Sequence, residues 1–223
     1  MQPENIDGRS NCFEDMKRFT RKRSQLTIFD IGANVGQTID KFKHYFPVSV
    51  LHAFEPGSAT FEELFKNYKE TQSTYLYKMA LGSTKGEMEF FENDNPDMSS
   101  FLEIDRMGWG KIIKTTMVKT ITIDEFCEEN SIDKIDILKT DTQGFEFEVL
   151  KGASQMMKAN KIQLIYLEII FSEQYKGLPS CGDIYNFLIQ NNFRLIKFYD
   201  FRFQENLSSW ADALFVNQKF ERD

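Results

Sequence analysis

Short apolar segments alternate along the chain with segments that repeat apolar residues at helical spacing, and this alternation constrains the fold more than any other feature. Apolar runs bounded by turn residues are typical of buried strands, and strands that alternate with helices pair mainly in parallel. The predicted strands are residues 26–31, 48–54, 74–80, 135–139, 162–170, 193–199 and 213–216. We therefore predict an α/β fold with a doubly wound, mainly parallel seven-stranded sheet and helices on both faces.

The segments between these strands are predicted to be helical, apart from one insertion. Residues 87–92 and 115–123 alternate polar and apolar side chains, which predicts a small inserted hairpin. A helix is predicted from Val35 to about Tyr45, and another over Cys181–Gln190. The segment after Asp141 is predicted to form one uninterrupted helix. Asp124 is predicted to cap a short helix after the hairpin.

Chain length favours a single domain. With 223 residues and 26.2 kDa, the chain can bury one α/β core and has little left for a second. We predict a polar, helical N-terminal extension over residues 1–25 and one domain over residues 26–218.

Charge and cysteine usage narrow the class of partner. The net charge of -7 and the pI near 5.1 argue against a nucleic-acid substrate, because phosphate binding needs a basic face. One basic run is interpreted as a solvated helix face: Lys17, Arg18, Arg21, Lys22 and Arg23. Scattered cysteines and the lack of a long apolar stretch predict a cytoplasmic protein without disulfides, structural zinc or a membrane segment. The oligomeric state is left open.

A glycine-containing turn follows the first predicted strand. Asp30, Gly32, Asn34 and Gly36 form a bend in which the glycines let a ligand approach the backbone amides. Asn34 stands where the dinucleotide fingerprint has its second glycine, so a pyrophosphate has less room. The acid beside the turn repels phosphates, whereas it suits the cationic amino group and sulfonium of S-adenosylmethionine.

Further candidates for cofactor binding follow the next two predicted strands. Glu55 and Pro56 end the second strand about 20 residues beyond the turn, where such folds place a carboxylate that accepts ribose hydroxyls. Ala80 and Leu81 end the third strand at the same edge of the sheet. The sequence therefore predicts one cofactor site across these strand ends.

Five segments together resemble a known family: residues 30–37 (DIGANVGQ), 53–56 (AFEP), 80–82 (ALG), 138–153 (LKTDTQGFEFEVLKGA) and 167–178 (LEIIFSEQYKGL). They are similar to the successive motifs of the FkbM-type methyltransferases. The resemblance implies a Rossmann-like class I methyltransferase that uses S-adenosylmethionine, mostly to O-methylate hydroxyls of sugars and other small metabolites. Many members have glutamate where this chain has Gln143, so a role assumed for that glutamate does not carry over.

Two carboxylates are the candidate catalytic residues. An alcohol acceptor has to lose its proton during methyl transfer, which requires a base or a metal. Asp141 ends the fourth parallel strand and Glu168 lies late in the fifth, where a buried acid is costly unless it is paired or functional. Either can instead be structural, Asp141 as a helix cap and Glu168 as the partner of a Lys or Tyr. A Mg²⁺ ion held by both is an alternative that we do not favour, because no ligand cluster is visible.

The remaining polar candidates lie in loops of the kind that shape substrate pockets. Ser99 and Ser100 match a Ser–Ser pair common in the family, and Tyr175 lies in the closing segment; all three are predicted to contact the acceptor. Trp109 is interpreted as either a mobile lid or a surface anchor. The two histidines are predicted to be structural, because neither lies at the carboxyl end of a strand.

Two other functional classes stay open. A nicotinamide-dependent oxidoreductase of similar fold requires a GxGxxG loop and a Tyr/Lys or His/Asp pair, neither of which is apparent. A binding module that keeps the nucleotide pocket but lacks chemistry shares the sequence features of the enzyme. Binding of S-adenosylmethionine, S-adenosylhomocysteine and NAD, compared by calorimetry, discriminates among these classes.

Overall fold

A computed structural model describes residues 11–21 and 24–220 of the chain. In chain order the strands are β1 (Leu26–Ile31), β2 (Ser49–Phe54), β3 (Thr74–Tyr77), β4 (Ala80–Leu81), β5 (Gly86–Asn93), β6 (Ile112–Ile121), β7 (Ile135–Thr140), β8 (Ile162–Ile170), β9 (Phe193–Gln204) and β10 (Leu207–Asn217). The main sheet has seven strands in the order β3-β2-β1-β7-β8-β10-β9. Its first five pair in parallel, and β10 runs antiparallel to both neighbours. The predicted mainly parallel seven-stranded sheet is confirmed.

Both faces of this sheet are covered by helices. These are α1 (Cys12–Thr20), α2 (Gln37–Tyr45), α3 (Ser58–Tyr68), α4 (Ile123–Glu129), α5 (Glu146–Lys151), α6 (Ser154–Lys158) and α7 (Cys181–Gln190). Along β1, Ile28 packs in one core with side chains of α1, α2 and α3, whereas Phe29 packs in a second core with side chains of α4 to α7. Successive residues of a strand point to opposite faces, so this alternation places one apolar core on each side.

A smaller sheet of three strands lies beside the main one, in the order β4-β6-β5. Strands β5 and β6 form the predicted hairpin and pair antiparallel. The predicted third strand of residues 74–80 is broken into two strands. The first pairs with β2 as far as Tyr77, and the second begins at Ala80, which pairs with Thr120 of β6. This crossing places the small sheet next to the carboxyl ends of β1 and β2.

Two helix predictions need correction. Thr122, not Asp124, caps α4: its side chain accepts a hydrogen bond from the backbone of Glu125, while Asp124 accepts bonds from the start of α6. The continuous helix predicted after Asp141 is two short helices that meet at Gly152. A Cβ at Gly152 would lie 2.0 Å from the carbonyl oxygen of Gly82, so this close approach of backbones interrupts the helix.

The described part of the predicted N-terminal extension forms a helix that belongs to the core. Met16 of α1 is fully buried, and the hydroxyl of Tyr199 in β9 donates to Asp15 Oδ2 at 2.7 Å. Arg18, a member of the basic run, pairs with Asp15 at 3.0 Å. Residues 1–10 of the extension, and Lys22 and Arg23 of the basic run, lie outside the described residues. Within residues 11–21 and 24–220, no helix combines the length and apolarity needed to cross a bilayer.

Candidate active site

A cavity of about 570 Å³ opens at the carboxyl ends of β1, β2, β7 and β8. Ligands of doubly wound sheets bind at this edge, next to the point where the strand order reverses between β1 and β7. Most of the predicted site residues line it: Gly32, Asn34, Glu55, Pro56, Ala80, Leu81, Ser99, Asp141 and Glu168. The others do not: Asp30, Gly36, Ser100 and Tyr175.

The packing of the chain itself requires glycine at two positions of the bend, independently of any ligand. Gly32 has a φ of +74°, and a Cβ there would lie 1.8 Å from the backbone oxygen of Asp141. The loops after β1 and β7 therefore touch at this glycine. Gly36 has a φ of +100°, and a Cβ there would meet the ring of Tyr68 at 2.2 Å. Gly36 packs against Tyr68 of α3 and does not line the cavity, so its contact with the cofactor stays a prediction.

Asp30 lies beneath the cavity and does not line it. Its side chain is fully buried, and Lys139 Nζ lies 2.9 Å from Asp30 Oδ1. The same Nζ donates to the carbonyl oxygen of Gly32 at 2.8 Å, so the ion pair supports the bend from below. Burial lowers the pKa of Lys139, but Asp30 and Asp141 outweigh burial and raise the pKa above its usual value. Lys139 is thus held as a cation.

Glu55 connects the glycine bend to the start of α3. Its Oε2 accepts from the backbone N–H of Asn34 at 2.9 Å, and its Oε1 accepts from Gly57 N and Thr60 Oγ1, both at 2.7 Å. Burial raises the pKa of Glu55, while these hydrogen bonds act in the opposite direction. A carboxylate offers about four acceptor positions, so three are occupied in this arrangement.

Three carboxylates meet where the cavity crosses β7 and β8. Asp141, Glu146 and Glu168 each place an oxygen within 4.8 Å of the others. Burial and then the charges of Asp141 and Glu146 raise the pKa of Glu168 well above its usual value. Burial likewise raises the pKa of Glu146 to about 7, although Thr142 donates to its Oε1 through both N and Oγ1. Asp141 and Glu168 are predicted from the sequence as catalytic candidates, whereas Glu146 is not.

Gln143 holds the two predicted catalytic acids in place. Its Nε2 donates to Asp141 Oδ1 at 3.0 Å and to Glu168 Oε2 at 3.2 Å. Tyr175 OH donates to Gln143 Oε1 at 2.9 Å, and Ser100 Oγ donates to the Gln143 backbone oxygen at 2.7 Å. Tyr175 and Ser100 are buried and support Gln143 in this structure, so their contact with the acceptor stays a prediction.

The loop between β5 and β6 forms the outer wall of the cavity. Ser99 lines it, and its Oγ accepts from the backbone N–H of Asn93 at 3.0 Å. Asn93 Nδ2 donates to the carbonyl oxygen of Trp109 at 3.2 Å, which fixes Trp109 at the rim. Trp109 lies 5.8 Å from Trp210, centroid to centroid. Neither histidine lines the cavity, and burial lowers the pKa of His52 to about 4.

Comparison with known sequences identifies the family to which this chain belongs. A family model described as "Methyltransferase FkbM domain" matches residues 30–195. The chain belongs to the FkbM methyltransferase family. The matched segment includes the end of β1, the glycine bend, the small sheet and the three carboxylates, so the resemblance found in the sequence is confirmed.

Two curated relatives of this FkbM-family chain carry methyltransferase names. The 2-O-methyltransferase NoeI of Sinorhizobium fredii is 25% identical over 161 residues, which cover 67% of this chain and 65% of the relative. The hexuronic acid methyltransferase AglP of Haloferax volcanii is 27% identical over 146 residues, 64% of this chain and 55% of the relative. The chain therefore spans less than two thirds of the length of either relative.

Two solved structures have the same fold as this FkbM-family chain. TrmK from M. capricolum, solved with S-adenosylhomocysteine, superposes with a TM-score of 0.52 at 11% identity, over 95% of this chain and 70% of TrmK. An rRNA methylase from Streptococcus thermophilus also gives 0.52, at 9% identity, over 92% of this chain and 93% of the methylase. At such identities the likeness shows the Rossmann-like fold.

The three carboxylates are also the residues that can hold a divalent cation. Carboxylate oxygens are hard ligands that suit Mg²⁺ or Ca²⁺, and two ligands on opposite sides of such ions lie about 4 to 5 Å apart. In the present arrangement the amide of Gln143 donates to two of the three acids. A cation bound there would compete with that amide for the same oxygens.

Glu146→Gln is expected to stabilise the FkbM-family chain at alkaline pH. The folded-state pKa of Glu146 is about 7 against an ordinary 4.5, so the free energy of unfolding falls as pH rises from about 4.5 to about 7, where this carboxyl is ionised in the unfolded chain and still protonated in the folded one. The variant lacks this loss, so its advantage over the wild type in free energy of unfolding should be about 2 to 3 kcal/mol larger at pH 8 than at pH 5. Urea denaturation at both pH values measures the difference. The exposed Glu128→Gln is the control, and an equal effect of Glu146→Gln at both pH values would contradict the assignment.

Proposed function

We propose that the chain is an S-adenosylmethionine-dependent O-methyltransferase that acts on a hydroxyl of a sugar or another small metabolite. The observation that carries this proposal is that one cavity joins the glycine bend and Glu55 to the acids Asp141 and Glu168. A donor site and a proton acceptor thus share a single enclosed space. Family membership and the names of both curated relatives support methyl transfer.

The donor half of the cavity lies over β1 and β2. Phe54, Ala80 and Leu81 provide apolar walls for an adenine ring. The hydroxyl of Thr60 lies within hydrogen-bond distance of both Glu55 Oε1 and the Gly57 carbonyl oxygen, at 2.7 and 3.1 Å. When Thr60 donates to the carbonyl, Glu55 has two acceptor positions available for two ribose hydroxyls.

The methyl group would then face Asp141 and Glu168, the two acids that line the cavity. Methyl transfer from a sulfonium is an in-line displacement: the acceptor oxygen forms a bond to the methyl carbon as the carbon–sulfur bond breaks, which yields neutral S-adenosylhomocysteine. The acceptor hydroxyl gives its proton to Glu168. A raised pKa suits this role, because the carboxylate is then a stronger base than an ordinary one. Gln143 holds Glu168 and Asp141 beside the reacting atoms.

Glu55→Gln is expected to weaken binding of S-adenosylmethionine by about ten- to hundred-fold, since charge-assisted hydrogen bonds contribute about 1.5 to 3 kcal/mol each. Calorimetric titration measures the dissociation constant. Glu62→Gln, an exposed change on α3, serves as control. Circular dichroism before titration shows that the variant is folded, and unchanged affinity in folded Glu55→Gln would remove Glu55 from the donor site.

The proposed activity is tested with isotopically labelled S-adenosylmethionine added to a cell extract together with the chain. We expect mass spectrometry to find the label on a hydroxyl-bearing metabolite, and to lose that signal when Glu168→Gln replaces the wild type. Tight donor binding without transfer to any extract component would favour a binding module. A preference for NAD in the same calorimeter would instead favour an oxidoreductase.

A further inference from the structure

Both tryptophans of the chain lie at one end of the cavity. The sequence contains two, and Trp109 and Trp210 both line the cavity wall. Their ring centroids are 5.8 Å apart with an interplanar angle of 33°. Trp109 keeps 37% of its surface exposed, so its ring is accessible to a ligand. Aromatic rings of this kind form flat apolar platforms with a polar edge.

The tryptophans lie on the acceptor side of the acids. Trp210 is on β10 opposite Ile170 of β8, whereas the glycine bend follows β1. Three strand intervals separate β1 from β10, which is about 14 Å along the sheet edge. Asp141 and Glu168 come from the two strands in between. A donor held at the glycine bend thus points its methyl group toward the acids, with the tryptophans beyond them.

The acceptor end is acidic. Glu92 and Asp94 line the same cavity as Asp141 and Glu168, and a Cβ at Gly110, the residue after Trp109, would lie 2.7 Å from Asp94 Oδ1. Lys114 does not line the cavity, but its Nζ lies 3.4 Å from Glu92 Oε1. Asp94 Oδ1 accepts a hydrogen bond from the backbone N–H of Lys111. Among the described residues that line the cavity, Lys139 is the one basic side chain, and it is already paired with Asp30 at 2.9 Å. A negatively charged acceptor would meet like charges and no free partner.

We propose that the acceptor is an uncharged sugar ring whose apolar face stacks on Trp109 and Trp210, and that the acidic wall excludes uronic acids and sugar phosphates. This inference rests on the proposed O-methyltransferase function and narrows its substrate class. It separates this chain from its relative AglP, whose name specifies a hexuronic acid. Sugar hydroxyls can donate to carboxylates such as Asp94, whereas a sugar carboxylate cannot.

Intrinsic fluorescence provides a direct test, because Trp109 and Trp210 are the only tryptophans of the chain. The chain is saturated with S-adenosylhomocysteine in the presence of EDTA. It is then titrated with methyl glycosides of glucose, galactose, mannose and fucose, and with methyl glucuronide and methyl galacturonide. We expect a saturable change with at least one neutral glycoside, and binding at least about ten-fold weaker for both uronic acids. Equal or tighter binding of a uronic acid, or no change with any neutral glycoside, would overturn the proposal.

Variants separate stacking from charge selection. Trp109→Ala should weaken the best neutral glycoside about ten-fold and leave the affinity for S-adenosylhomocysteine unchanged, while Trp109→Phe should restore most of the binding. Tyr185→Ala, an exposed aromatic change on α7, should alter neither affinity. Asp94→Asn should improve binding of the uronic acid several-fold with little effect on the neutral glycoside. If Asp94→Asn instead weakened the binding of all glycosides equally, the role of Asp94 would be structural and charge selection would be contradicted.

Failure of this inference is distinguishable from failure of the proposed function. If calorimetry detects no binding of S-adenosylhomocysteine, the methyltransferase proposal itself is wrong. If the donor product binds but the fluorescence titration prefers the uronic acids, the enzyme proposal stands and the uncharged acceptor is excluded.

Discussion

Glu168→Gln is expected to lower kcat by at least about 100-fold while the affinity for S-adenosylmethionine changes little, because a positioned general base contributes about 10²- to 10⁴-fold to a rate. Glutamine keeps the size of the side chain and the contact with Gln143 but cannot take the proton of the acceptor hydroxyl. Single-turnover measurements with labelled donor separate the chemical step from binding. The exposed Glu63→Gln on α3 is the matched control.

The same variant, Glu168→Gln, is expected to change the pH dependence of kcat/KM. A base works in its deprotonated form, so kcat/KM of the wild type should rise with pH as Glu168 loses its proton. Burial and the neighbouring charges of Asp141 and Glu146 raise the pKa of Glu168, which moves this rise from the acid range toward neutrality. Because the acids interact, the rise belongs to the group of carboxyls as well as to Glu168. Retention of the full rise in Glu168→Gln would contradict its role as the base.

Gly32→Ala is expected to lower the free energy of unfolding by about 2 to 5 kcal/mol and to abolish donor binding. The new Cβ would lie 1.8 Å from the carbonyl oxygen of Asp141, so the loops after β1 and β7 have to separate. Overpacking costs about 1 to 3 kcal/mol, and the left-handed backbone adds about 1 to 2 kcal/mol for a residue with a Cβ. Urea denaturation measures stability, and calorimetry of the folded fraction measures binding.

Gly177 supplies the matched control for this prediction. Its φ is +76°, close to the +74° of Gly32, and nothing lies within 4 Å of a Cβ built there. Gly177→Ala should therefore show the backbone cost of about 1 to 2 kcal/mol and leave donor binding intact. Equal losses of stability in the two variants would mean that the contact between Gly32 and Asp141 is unimportant.

The main elements of the fold could be predicted because their signals are local. Residues 162–170 form an apolar run that matches β8 in both bounds, and Cys181–Gln190 begins after Ser180, whose side chain caps the helix. The glycine bend and Glu55 could also be located, because strand ends in a parallel sheet share one edge. The break between β3 and β4 could not, since it depends on pairing with β6, which lies far along the chain.

The support of the site depends on contacts that the sequence does not display. In the sequence, Gln143 only stands where many family members have glutamate, yet in the structure its amide bridges Asp141 and Glu168. Glu146 lies on α5 with other charged residues, and its full burial follows from how α5 packs on the sheet. Asp30 ends an apolar strand, and the alternation of β1 was a usable signal: Asp30 shares the face of Ile28, beneath the cavity. A buried partner for it could have been sought on the neighbouring strand, where Lys139 lies.

A crystal structure of the chain with S-adenosylhomocysteine tests the central claim most directly. We expect both ribose hydroxyls within hydrogen-bond distance of Glu55, the adenine between Phe54 and Leu81, and the sulfur on the side of the cavity that holds Asp141 and Glu168. An adenosine bound away from the bend at Gly32, or a ribose without contact to Glu55, would contradict it.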